Sequence, residues 1–71
     1  MSVSSAEENE VRECLMEAAA IVEKARKFIR NGHLPDMDKS ELIGDLRGVK
    51  NSIVGINSAG LNIYREFRQA A

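Results

Sequence analysis

Apolar residues recur along the second half of the chain with a helical period. Between Asp38 and Gln69, the positions Leu42, Leu46, Val49, Ile53, Ile56, Gly60, Ile63 and Phe67 alternate steps of four and three. Two helical turns take about seven residues, so this spacing keeps a narrow seam on one side of a helix along its whole length. The first half repeats the pattern with Val11, Leu15, Ala18, Val22, Ala25 and Ile29, and Cys14, Ile21 and Phe28 add an adjoining column at sevens. Together they make a broad apolar face, thinned in the middle by Ala18 and Ala25 so that a second helix approaches closely. The pattern predicts an all-α antiparallel helical hairpin, a single domain over 1–71. Its helices span about 5–31 and about 38–69, joined by a turn at 32–37.

Cap chemistry marks the same boundaries. Ser5 with Glu8, or Ser4 with Glu7, offers a capping box that opens the first helix after a loose tail at 1–4. Asn31-Gly32 ends that helix, with Gly32 expected in the left-handed conformation that follows a C-cap, and Pro35 does not continue it. Asn-Gly also signals a β-hairpin, but the flanking periodicity is helical rather than alternating. The connection is short, which sets the helices side by side and antiparallel. Asp38 with Glu41 forms a second capping box, and Met37 is placed to staple against Leu42.

Two further columns flank the seam of the second helix. Ile43, Val54, Leu61 and Tyr64 form one; the small residues Gly44, Gly48, Ser52, Gly55 and Ala59 form the other. With Leu42 through Phe67 facing the first helix, these two flanks are left for something outside the hairpin. Gly44, Gly48, Gly55 and Gly60 each forgo roughly 1 kcal/mol against Ala in a helix interior, a deficit that packing must make up. The glycine flank is open to two readings, a soluble helix contact or simple tolerance of glycine. The heptad phase runs unbroken and predicts one continuous helix, although Gly55-Ile-Asn-Ser-Ala-Gly60 is where a break would fall.

Size makes association the natural remedy for a small core. A chain of 71 residues buries only about 60% of the surface its unfolded form exposes, and such scaffolds rely on disulfides, a metal or association. Cys14 is the only cysteine and His33 the only histidine, so neither a disulfide nor a zinc site is available within the chain. Cys14 reads as a small hydrophobe on the apolar face, and His33 as a solvated turn residue. Ten basic against eleven acidic residues give a net charge of −1, without the basic excess of a nucleic-acid binder. Arg12, Lys24, Arg26, Lys27 and Arg30 gather basic charge toward the end of the first helix, where dipole matching and solvation are favoured over a phosphate site.

The acidic stretch Met1–Glu10 lacks the features of a secretory signal, and no apolar run reaches the length of a membrane span. A cytosolic location without membrane contact is the expectation. Phosphate loops, activated nucleophiles and paired carboxylates in apolar settings are not evident. The sequence therefore points away from an enzyme, a cofactor and a small-molecule substrate. Tyr64 and Phe67 read either as an end-plug of the core or as a docking anchor.

The segment Ala25-Arg26-Lys27-Phe28-Ile29-Arg30-Asn31-Gly32-His33-Leu34-Pro35, a basic-apolar helix end before a Gly-x-x-Pro type turn, is followed by a second amphipathic helix. Over roughly 18–64 this pattern resembles the small co-chaperones of the type III secretion needle subunit. It departs from them in the glycines and asparagines of its second helix. The resemblance implies a cytosolic, non-enzymatic hairpin that pairs with a larger helical chaperone and helps keep the secreted needle subunit unpolymerised. Its partner contacts would then be Ile43, Val54, Leu61 and Tyr64, with Ile21 and Phe28 if the hairpin face is shared, and Gly44, Gly48 and Gly55 in the small-residue groove. A homodimeric four-helix bundle of structural or regulatory role, and a self-assembling secreted helical subunit, are the competing expectations.

Overall fold

The computed structural model describes residues 4–70. Helix α1 spans Ser5–Arg30 and helix α2 spans Asp36–Gly55; a π-helical turn, Ile56–Gly60, follows, and helix α3 spans Asn62–Ala70. The chain is an all-α hairpin measuring 54 × 15 × 13 Å, with its second arm bent. The expected tail at 1–4 lies outside the described residues except for Ser4, which is the N-cap of α1. Its side chain accepts from the Glu7 backbone N–H at 3.1 Å, so Ser4 rather than Ser5 is the N-cap that opens the helix.

The turn differs from expectation in two respects. No described residue has a positive φ, Gly32 included. Asn31 and Gly32 instead donate to Lys27 and Ile29 carbonyls at 3.0 and 3.1 Å, tightening the last turn of α1. Glycine suits this place because a Cβ on Gly32 would lie 3.2 Å from the Phe28 carbonyl oxygen. The second difference is that α2 begins two residues early, after Pro35 and without a side-chain cap. Pro35 presets the dihedral entering the helix, which moves Asp38 from cap to first turn, where its charge still complements the dipole. Met37 is exposed and makes no staple. Lys39 closes the turn from the other side by donating to the Arg30 carbonyl at 3.1 Å.

On α1, the residues expected in the interface, Val11, Leu15, Ala18, Val22, Ala25 and Ile29, are all half-buried, whereas Cys14, Ile21 and Phe28 are exposed. On α2 the seam is corrected. Lys39, Ile43, Leu46, Lys50, Ile53 and Asn57 face α1, and Leu42, Val49 and Ile56 lie outside it. Both stripes share Leu46 and Ile53, so the choice turns on the residues between. α1 offers Glu23 to Lys50 and Arg12 to Asn57, and the long Lys50 stem covers apolar surface while its ammonium reaches the carboxylate.

The helix is also not continuous. Leu61 donates to the Ile56 carbonyl, five residues back, at 3.0 Å. A turn closed at five residues absorbs one extra residue and rotates everything beyond it by roughly 100°. Gly60, Ile63 and Phe67 therefore leave the seam, and Leu61 and Arg68 enter it. Leu61 is 5% exposed, the only buried hydrophobic residue among those described, whereas Phe67 is 60% exposed.

Candidate partner-binding face

Two flanks of the hairpin differ sharply in chemistry. Cys14, Ile21 and Phe28 each precede a seam residue of α1 (Leu15, Val22, Ile29), and Leu42, Val49 and Ile56 each precede one of α2 (Ile43, Lys50, Asn57). In an antiparallel pair the helices are exchanged by a two-fold axis perpendicular to both, so equivalent positions fall on the same side. The Lys50–Glu23 and Arg12–Asn57 bonds set the register. It brings Phe28 near the level of Leu42, Ile21 near Val49, and Cys14 near Ile56. These two columns form one apolar face about 14 residues long, or roughly 21 Å at 1.5 Å per residue. Ile21 is 67% exposed, Phe28 68% and Val49 49%.

The other flank holds the polar cross-links. Arg12 donates to the Asn57 carbonyl at 2.8 Å, to the Asn57 side-chain oxygen at 3.1 Å and to Glu8 at 3.0 Å. Glu8 also accepts from Arg68 of α3. One connected chain of charge-assisted bonds thus ties the first turns of α1 to the π-turn and to α3. Farther along, Glu23 accepts from Lys50 at 3.0 Å and from Arg26. Arg68 and then Arg12 hold the Glu8 carboxyl below the usual glutamate range, against the opposing effect of burial. Lys50, then Arg26, lower that of Glu23 in the same way. These residues fasten the hairpin. Among the described residues there is no group of His, Cys, Asp and Glu that could hold a metal ion.

The residues expected to meet a partner are thus divided. Leu61 is buried, and Ile43 and Tyr64 are half-buried toward α1; this column belongs to the hairpin's own contact, because Lys50 and Asn57 draw it inward and the π-turn carries Leu61 with it. Val54 is exposed, but it follows Ile53 in the chain and so lies on the cross-linked flank. Ile21 and Phe28 stand on the apolar face. Gly44, Gly48 and Gly55 are open, with no atom within 4 Å of where a Cβ would stand. The sequence reading missed Leu42, Val49 and Ile56 as free surface. The available signal was their spacing at sevens, which matches the spacing of Cys14, Ile21 and Phe28.

No helix among the described residues is long and apolar enough to cross a membrane. No protein-family model, no curated protein and no solved structure matches the chain.

Proposed function

We propose that the chain is a non-enzymatic protein-binding module whose apolar face is covered by a helical partner. The observation that carries this reading is the paired column of Ile21, Phe28, Leu42, Val49 and Ile56. The size of the exposed surface supports it. A compact monomer of this mass exposes about 4,400 Å², whereas the hairpin exposes 5470 Å². The difference is comparable to the roughly 800 Å² that one partner contributes to a standard interface. With a single buried hydrophobic side chain among the described residues, the two arms hold each other through half-buried contacts, and a third helix laid on the open face would complete a bundle.

The role is that of a cytosolic co-chaperone, which pairs with a larger helical chaperone and keeps a type III secretion needle subunit from polymerising. The resemblance of Ala25–Pro35 to the needle co-chaperones motivates that assignment. The physical reason is general, because a subunit that polymerises through an apolar helix must have that helix covered until export. The test is to purify the tagged full-length chain from its host and weigh what accompanies it. A stoichiometric complex with a helical chaperone and a needle-type subunit, in which the hairpin gains thermal stability, is the expected result. A stable monomer with a sharp, concentration-independent thermal transition would overturn the reading.

A homodimeric four-helix bundle is the second reading. It is favoured by the equivalence of the two columns, which lets the face pack against a copy of itself. Sedimentation equilibrium separates the two readings, since a homodimer has twice the 7.8 kDa mass of the chain and is unchanged by other proteins.

A further inference from the structure

The apolar face has an acidic border. On α1, Glu10 and Glu17 lie three residues after Glu7 and Cys14, one step outward from the column; on α2, Asp38 and Asp45 lie in the equivalent places beside Leu42. All four are exposed, and none takes part in an ion pair among the described residues. The one base in this row, Lys24, sits over the Phe28 ring at 5.8 Å from its centroid. The opposite flank has the reverse character. There Arg12, Arg26, Lys50 and Arg68 share only two carboxylates, Glu8 and Glu23, in bridges, and Arg47 adds a further cation. The hairpin is therefore polarised across its width, although its formal net charge is only −1.

Resting on the partner-binding reading, we infer that the occupant of this face is an amphipathic helix whose apolar stripe is bordered by Lys and Arg. Its residues at i, i+3 or i+4, and i+7 seat between the Ile21–Phe28 and Leu42–Val49–Ile56 columns, as in other helix-in-groove contacts. Its flanking cations reach Glu10, Glu17, Asp38 and Asp45. A second copy of this chain fits less well, because packing the face on itself sets two acidic borders against each other, and like-charge juxtaposition across an interface disfavours the pair. The same border discriminates among candidate helices, since one with an identical stripe and acidic flanks is repelled.

The experiment uses the full-length chain and two synthetic helices. Both carry one Leu/Ile stripe over four turns; one is flanked by Lys and the other by Glu. Binding is followed by fluorescence anisotropy at low and high salt. The Lys-flanked helix is expected to bind at least about tenfold more tightly, with the preference shrinking as salt screens it. Asp38→Lys with Asp45→Lys, both exposed and outside the seam, is expected to abolish or reverse the preference while circular dichroism stays at the wild-type value. Equal binding of both helices, or a preference that survives the charge reversal, would overturn the inference while leaving the partner-binding reading standing. A homodimer by sedimentation equilibrium whose face neither helix displaces would also overturn it. Failure of both helices to bind a stable monomer would sink the inference and the partner-binding reading together.

Discussion

Arg12 binds Asn57 across the hairpin through both the backbone carbonyl and the side-chain oxygen. That contact joins α1 to the one turn of the second arm that is not α-helical. A π-turn disturbs the regular backbone ladder, and the Arg12 guanidinium supplies a fixed donor to a carbonyl there. Arg12→Ala should lower stability by about 1–2 kcal/mol through the lost hydrogen bonds. It should also free α3 to fray ahead of the rest. Hydrogen exchange checks this: amides of Leu61 and α3 should lose protection while those at the centre of α1 and α2 change only as global stability does.

Stability should fall in acid through two named groups. The folded hairpin holds Glu8 and Glu23 below the ordinary glutamate value of 4.5. Above that value both states are ionised and the stabilisation is fully present. As pH falls past it, the unfolded chain takes up protons first, and the contribution is lost as pH passes through the lowered folded values. Thermal melts between neutral pH and acid should show this decline, and Glu8→Gln should flatten part of it. A Glu8→Gln slope equal to that of wild type would count against the Arg68–Glu8–Arg12 linkage.

The glycine flank should accept side chains in the isolated chain. No atom stands within 4 Å of a Cβ at Gly44 or Gly48, so Gly44→Ala and Gly48→Ala should each stabilise α2 by up to about 1 kcal/mol through helix propensity alone. Denaturant titration measures this as a higher midpoint at unchanged slope. Destabilisation at either position would show that the flank is packed in solution.

One residue too many lies between the two registers of the second arm. Deleting Ser58, whose hydroxyl donates to the Gly55 carbonyl at 3.3 Å, should convert the π-turn to regular helix. Leu61 and Arg68 would then keep their inward places, because the deletion removes the residue that the turn absorbs. The shortened chain should fold with helicity equal to or above that of wild type. Loss of the fold on deletion would contradict this account of the bend.

Much of this architecture is legible in the sequence. The stripe from Val11 to Ile29 gives the α1 interface directly, because every one of its residues is apolar and in phase. The second arm is less transparent for a physical reason. Its true seam includes Lys39, Lys50 and Asn57, which a count of apolar letters passes over in favour of Leu42, Val49 and Ile56. Lys50 and Asn57 enter the seam because Glu23 and Arg12 await them on the other helix, and such pairing appears only when both arms are set in register. The bend is half legible: Gly55–Gly60 marks where a break would fall, but the heptad phase runs through it whether or not the backbone follows. Glu8 shows the same limit: in the sequence it is one acid among many near the N-terminus, and only the fold brings Arg68 to it.

We assign exposed Val49 to the proposed partner face, and half-buried Ile53, one helical turn farther along the seam, to the hairpin itself. Titration calorimetry of the Lys-flanked helix into wild-type chain and into Val49→Asp tests this assignment most directly, with circular dichroism of each sample as the control for folding. Val49→Asp should keep wild-type helicity and lose at least about tenfold in affinity, as expected when a charge enters an apolar contact. A Val49→Asp chain that binds the helix as well as wild type would contradict the claim.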